Sequence, residues 1–191
     1  ILDFSKSEAG KLALESVPCQ IEEVVGGALM LTRERALHKE LELLCDVEDA
    51  QLLGEAGSFW GDPLRLGQVL VNLGNNAIKF TTEGSVIAEI TRAPAGKTGV
   101  VLTVRDTGMG IPQHEIDAVR QAFVQGSGAT RSAEAGTGLG LTIVCSMAEL
   151  HGGAVTIDSE IGKGTTVTVR LPASRMLAAL GGQQSAESGR A

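Results

Sequence analysis

The chain contains no tyrosine, and aromatic residues of every kind make up only 3% of its 191 residues. Hydrophobic content is nonetheless 43%, so the core must be built mostly from aliphatic side chains. Cysteine is scarce as well: Cys19, Cys45 and Cys145 are odd in number, widely spaced and without a CxxC pair. That pattern favours buried thiols in a reducing compartment over a disulfide framework or a metal site. No apolar run is long enough to span a membrane, and the N-terminus has no signal peptide. Positive charge is in deficit. The net charge of −7 argues against non-specific nucleic-acid binding but leaves room for a nucleotide in a locally positive pocket. The opening ILDFSK lacks an initiator methionine and reads as mid-chain, so a piece of a larger protein is expected.

What the chain does have is a distinctive stretch from Leu64 to Phe80, LRLGQVLVNLGNNAIKF. As a helix it puts Leu66, Val69, Leu70, Leu73, Ala77 and Phe80 on one apolar side. Gln68, Asn72, Asn76 and Lys79 form a polar stripe, and Val71, Gly74 and Ile78 occupy a third side. Such a helix reads as buried nearly all round. Buried amides need partners, and two Asn carbonyls one turn apart with a Lys beyond them suit hydrated Mg²⁺ and a phosphate chain. The plainer alternative is an amphipathic helix whose Asn residues face water. Asp62 is a natural N-cap for this helix, with Pro63 at its first position.

In chain order, Ile1 to Gly10 reads as the end of a helix. Lys11 to Val17 reads as a strand stopped by Pro18, and Gln20 to Lys39 as a helix weakened by Gly26 and Gly27. Strands are expected over Glu40 to Val47 and Ser58 to Gly61. Beyond the Asn helix, Ser85 to Arg92 and Val100 to Asp106 form a hairpin. A helix runs from Pro112 to about Phe123, and Val124 to Gly136 is a mobile loop. Thr137 to His151 is a helix stopped by Gly152. Ala154 to Ser159 and Thr165 to Leu171 make a closing hairpin, and Ala173 to Ala191 is a linker or disordered tail. This order lacks strict βαβ alternation. It reads as α+β, with helices on one face of a mixed sheet.

Three glycine clusters follow the Asn helix. Asp106-Thr107-Gly108-Met109-Gly110 closes a strand, where a carboxylate can accept from an exocyclic amine and glycines let a flat base approach. Gly136-Thr137-Gly138-Leu139-Gly140 leads into a helix, whose N-terminus is an anion site. Gly162-Lys163-Gly164-Thr165 is the third. Phe123 and the loose loop between the first two suit a lid over a nucleotide. An aspartic protease would need a second facing carboxylate, a Rossmann reading fails at Leu141, and Gly96-Lys97-Thr98 lacks the first glycine of a P-loop.

Together, GDPLRLGQVLVNLGNNAIKF, VRDTGMGIP, AFVQ and GTGLGLTIV resemble, in order and spacing, the N box, first G box, F box and second G box of the sensor histidine kinase catalytic domain. That ATP-binding fold is shared with the gyrase, MutL and Hsp-type chaperone ATPases. HGGAVTIDSEIGKGTTVTVRLP is similar to the family's closing hairpin. ILDFSKSEAGKLALE is similar to the end of its dimerisation and phosphoacceptor domain, of the kind common in hybrid kinases. The resemblance runs from Ile1 to Pro172 and implies a two-layer α/β sandwich, a mixed sheet of about five strands with three main helices on one face. It divides the chain into 1–10, the end of the phosphoacceptor helix; 11–172, the ATP-binding catalytic domain; and 173–191, the tail.

The resemblance also implies roles. Asn72 and Asn76 hold Mg²⁺ and phosphates, Lys79 contacts phosphate, and Phe80 flanks the nucleotide. Asp106 reads the adenine amino group, Gly108 and Gly110 let the base approach, and Ile111 and Phe123 border the site. Thr137, Gly138, Leu139, Gly140 and Leu141 surround the phosphates. Arg131 neutralises γ-phosphate charge, and Thr165 backs Asp106 through water. At Gln68 the ATPase branch carries a Glu that activates water. An amide cannot take that proton, which argues against a dedicated hydrolase and for transfer to an imidazole nucleophile. Catalytic roles thus fall to Gln68 and Asn72. His38, His114 and His151 lack the surroundings of an acceptor His and read as surface or capping residues, which places the acceptor before residue 1. The implied function is ATP·Mg²⁺ binding and γ-phosphoryl transfer to a His on an upstream helical hairpin, for relay to a response regulator Asp. The implied partners are that hairpin, a receiver domain and a second copy in a homodimer, in the cytoplasm, without nucleic acid or membrane contact. The alternative is an inactive ATP-binding or scaffold domain that regulates a partner kinase, suggested by Gly67 in place of a basic residue and a lid with only Arg131.

Overall fold

The computed structural model describes residues 13–48, 52–54, 58–92, 99–120 and 138–177. Its strands are β1 (Val17–Gln20), β2 (Glu42–Val47), β3 (Ser58–Gly61), β4 (Ser85–Arg92), β5 (Val100–Asp106), β6 (Ala154–Glu160) and β7 (Gly164–Leu171). Its helices are α1 (Ile21–His38), α2 (Pro63–Phe80), a one-turn α3 (Ile116–Val119) and α4 (Gly140–Leu150). Five strands form one sheet in the order β2-β4-β5-β7-β6. β2 lies parallel to β4 and the other neighbours are antiparallel. β1 and β3 form a separate antiparallel ribbon. The fold is the α+β arrangement expected from the sequence.

Period-two alternation along the strands sends Val86, Ala88, Ile90, Val100, Leu102 and Val104 to one face, all buried. The apolar sides of α1, α2 and α4 close on that face in a single, largely aliphatic core. Each Val, Leu or Ile side chain among them contributes about 1.5–3 kcal/mol on full burial. α2 begins as its sequence predicts: Asp62 Oδ1 accepts the Arg65 N–H at 3.1 Å and Pro63 takes the first position. The third side of α2 packs on α1, where a Cβ added to Gly74 would lie 3.1 Å from Thr32 Cγ2. Phe80, placed by periodicity on the apolar side, is only half-buried.

Four expectations change. Pro18 does not end a strand but lies inside β1, opposite Trp60. In a two-stranded ribbon both strands are edges, so one lost donor is tolerated. The helix expected from Pro112 is a 3₁₀ turn at Gln113–Glu115 followed by α3, and residues 121–123 lie outside the described residues. α4 starts at Gly140 rather than Thr137, because Gly138 has φ +71° and cannot continue a right-handed helix. Ala173–Arg175 is a packed 3₁₀ turn where a loose tail was expected, and Met176, 5% exposed, bridges to Phe59. The helix end at 1–10, most of the tail and the loop Val124 to Gly136 lie outside the described residues.

Candidate functional site

Asp106 is the last member of the inward-facing row of β5, after Val100, Leu102 and Val104. Where the core ends, the row ends in a carboxylate. It is buried, and its Oδ1 accepts backbone N–H groups from Gly108 at 2.9 Å and Thr165 at 3.2 Å. Among the described residues no hydrogen bond reaches Oδ2. Desolvation pushes the pKa of Asp106 up, and the two N–H donors oppose that shift. One oxygen is thus locked and the other is left as an acceptor for a ligand.

The glycines after it are demanded by close approaches. A Cβ on Gly108 would lie 2.5 Å from the Phe80 carbonyl oxygen and 2.8 Å from Asp106 Oδ1. Gly110 has φ +71° and its Cβ would lie 2.1 Å from the Glu160 carbonyl oxygen. The loop is tied down on both sides. Met109 N–H donates to Phe80 O at 3.2 Å, Gly162 N–H to Met109 O at 2.9 Å, and Ile111 N–H to Ser159 Oγ at 2.8 Å. Ser159 in turn donates to the Gly164 carbonyl at 3.0 Å and lies 2.9 Å from Thr165 Oγ1. Thr165 therefore reaches Asp106 directly through its main chain, while its hydroxyl belongs to Ser159. The Thr165 main chain thus meets Asp106 without an intermediary.

Across the site, Gln68, Asn72, Asn76 and Lys79 of α2 are all half-buried. Asn72 and Asn76 face the first residue of α4. A Cβ on Gly140 would lie 3.4 Å from Asn76 Nδ2 and 3.9 Å from Asn72 Oδ1. Asn72 Nδ2 is buried without a hydrogen-bond partner among the described residues. Such an orphan costs about 1–3 kcal/mol unless a ligand satisfies it. Beside it, α4 begins at Gly140; its N-cap residue Leu139 makes no side-chain cap, and the first N–H groups of the helix have no partner within it. A helix N-terminus next to an amide with no partner among the described residues suits an anion. Leu141 is half-buried in the first turn.

Lys79 Nζ lies 4.9 Å from the centroid of the Phe80 ring. The carbonyls of Ile78 and Lys79 are capped by Lys39 Nζ at 2.8 and 3.0 Å, which holds the end of α2 in shape. Gln68 Oε1 accepts from Arg65 Nη1 at 3.2 Å. The described residues contain no group of three or more His, Cys, Asp or Glu able to hold a metal. A divalent cation here would rest on amide oxygen and on the ligand's own oxygens, which suits a hard ion such as Mg²⁺. The structure thus brings Asn72 and Asn76 to Gly140, and Asp106 to Gly108 and Thr165. Phe123, Arg131 and Thr137 lie outside the described residues.

Sequence reasoning missed two residues that brace this site, Lys39 and Ser159, and misread His151 at the far end of α4. His151 read as a surface or capping residue. It is fully buried, accepts the Asp62 N–H on Nε2 at 3.1 Å and donates from Nδ1 to Met147 O at 2.7 Å. Desolvation lowers its pKa. The signal available was its place at the end of an apolar helix, just before Gly152 at φ +74°. His38 and His114 are exposed, each beside a Glu carboxylate.

Comparison with known proteins places these features in a family. Residues 61–175 match the family described as histidine kinase-, DNA gyrase B-, and HSP90-like ATPase. The sensor histidine kinase GacS of Pseudomonas protegens is 39% identical over 180 residues, 92% of this chain and 19% of its own length. The signal transduction histidine-protein kinase BarA of Escherichia coli is 37% identical over 168 residues, 87% of this chain and 18% of its own. The chain thus spans about a fifth of the length of these relatives. Among solved structures, full-length ShkA in complex with AMPPNP is 32% identical with a TM-score of 0.76, over 90% of this chain and 34% of that one. The catalytic domain of histidine kinase ThkA shares the fold at 22% identity and a TM-score of 0.67, over 83% of this chain and 95% of that one.

Proposed function

The chain belongs to the histidine kinase-, DNA gyrase B-, and HSP90-like ATPase family, and on that footing we propose that it is the ATP·Mg²⁺-binding catalytic domain of a sensor histidine kinase. Its substrate is the imidazole of a His on a helical hairpin outside this chain, which accepts the γ-phosphoryl and relays it to an Asp of a response-regulator receiver domain. The whole kinase works as a homodimer in the cytoplasm. The observation that carries the reading is the buried Asn72 amide, without a hydrogen-bond partner among the described residues, beside Gly140 at the start of α4.

In this reading Asp106 Oδ2 accepts the adenine amino group, and Gly108 and Gly110 let the purine lie against the loop, with Ile111 at its border. Asn72, Asn76 and Lys79 hold the phosphates, and the backbone from Gly138 to Leu141 supplies N–H donors around them. Phe80 flanks the nucleotide. Phe123, Arg131 and Thr137 complete the lid side. Asn72 and Asn76 would also hold Mg²⁺, which would supply charge neutralisation to the phosphates. Positioning and electrostatic stabilisation provide most of the rate in phosphoryl transfer. Gln68 fits the same picture. Its amide oxygen already accepts from Arg65 and lacks the basicity to activate water, so the site favours a nucleophile that brings its own lone pair.

The test uses this chain extended upstream through the helical hairpin, supplied with γ-labelled ATP. An acid-labile, alkali-stable label on a histidine is expected, and it disappears in Asn72→Ala. Bound ATP with no label on the protein would favour an inactive regulatory domain instead.

A further inference from the structure

α2 and α4 lie side by side and antiparallel. Asp62, at the start of α2, meets His151 just past the end of α4, while Asn72 and Asn76 further along α2 meet Gly140 at the start of α4. The two meeting points are separated by α4's full length, Gly140–Leu150, or about 16 Å at 1.5 Å per residue. We infer that His151 is a positioning residue for the nucleotide site: by accepting the Asp62 N–H it sets how far α4 is drawn along α2, and so fixes the opening between Gly140 and the amides of Asn72 and Asn76. This rests on the reading of that opening as the phosphate site.

The hydrogen bonds leave the ring one arrangement. Met147 O can only accept, so Nδ1 carries the proton; the Asp62 N–H can only donate, so Nε2 is bare. The Asp62 carboxylate is itself engaged by the N–H groups of Arg65 and Glu15. The backbone of His151 is bolted to the same corner: Arg175 Nε donates to His151 O at 2.5 Å and Arg175 Nη1 to Trp60 O at 2.9 Å. The ring therefore sits at a fixed anchor and grips the start of the Asn helix. At the far end the clearance is small. A Cβ on Gly140 would already be 3.4 Å from Asn76 Nδ2, so a slip of well under a helical turn changes the opening. A residue serving only to fill the core would affect stability and leave that opening alone.

The test is nuclear magnetic resonance on the ¹⁵N-labelled chain, with the dissociation constant of Mg·AMPPNP measured at a temperature where every variant is folded. In the unsubstituted chain the His151 ring is expected to show a protonated Nδ1 and a bare Nε2. His151→Leu keeps the bulk and loses the acceptor. It is expected to shift the Gly140 amide and the Asn72 and Asn76 side-chain resonances and to weaken Mg·AMPPNP on the order of tenfold. His151→Gln puts an oxygen where Nε2 stood and is expected to restore both. The inference is overturned if the ring carries its proton on Nε2, or if folded His151→Leu leaves those resonances and the affinity unchanged. Should His151→Leu not fold, the ring tautomer and a failure of His151→Gln to keep the Gly140 and Asn72 resonances in place decide the matter. If the unsubstituted chain binds no Mg·AMPPNP, the proposed function fails, while the resonances still judge the role of His151.

Discussion

Replacing Asp106 by Asn separates ligand recognition from stability at a single atom. Two backbone donors, Gly108 N–H and Thr165 N–H, converge on Oδ1. The Asn side chain must keep its own oxygen there, because turning its NH₂ toward two N–H groups would set donors against donors. The NH₂ is therefore forced into the place of Oδ2, where the account puts the purine amino group. An acceptor for the ligand becomes a donor. Losing a hydrogen bond to a charged acceptor costs about 1.5–3 kcal/mol, which is roughly a ten- to 150-fold loss of affinity. Stability moves the other way. The folded-state pKa of Asp106 is raised above its unfolded value, so its contribution is present at low pH and is lost as pH rises through the folded pKa. Wherever the buried carboxylate is charged, it carries a desolvation cost that Asn removes. Calorimetric titration with Mg·AMPPNP and thermal unfolding on the same sample read both effects. Weakened binding with an unchanged or raised Tm is expected. Unchanged affinity would refute the placement of the purine, and a Tm lowered by more than about 5 °C, above 1 kcal/mol for this size, would make Asp106 a structural residue.

Four further outcomes follow from the backbone and from His151. Gly164→Ala is expected to lower stability by about 3 kcal/mol or more in denaturant titration, since its Cβ would lie 1.9 Å from the Asp106 carbonyl oxygen at φ +110°. Gly162→Ala has the same kind of φ, +77°, but nothing within 4 Å, so it is expected to cost only about 1 kcal/mol. Gly26→Ala and Gly27→Ala meet nothing within 4 Å on α1 and are each expected to stabilise by about 0.5–1 kcal/mol. The depressed pKa of His151 means the unfolded chain takes up that proton first. Its contribution to stability is full above the unfolded value of about 6.5 and is lost as pH falls toward the folded value. His151→Gln is expected to flatten that part of the stability–pH curve.

Local signals carried far along this chain. The Asp62-Pro63 start and apolar spacing of α2, the alternation of β4 and β5, and the carboxylate at the end of β5 are short-range patterns, and each holds in the structure. Asp106 could be singled out because a charge ends a row otherwise made of Val and Leu. The misreadings came from long-range pairing. Pro18 lies in a strand only because Trp60, far along the chain, stands opposite it. His151 is buried because Asp62, 89 residues away, presents an N–H to it. Ser159 gains its place from Ile111 and Thr165 on other segments. The parallel pairing of β2 with β4 likewise has no periodic signature of its own. Gly138 shortened α4 through a positive φ that composition alone does not fix.

A crystal structure of this chain with Mg·AMPPNP tests the central claim most directly. The account predicts the purine amino group within about 3 Å of Asp106 Oδ2, the phosphates at the start of α4, and the metal on the Asn72 amide oxygen. A purine bound elsewhere, with Asp106 Oδ2 facing only water, would contradict it.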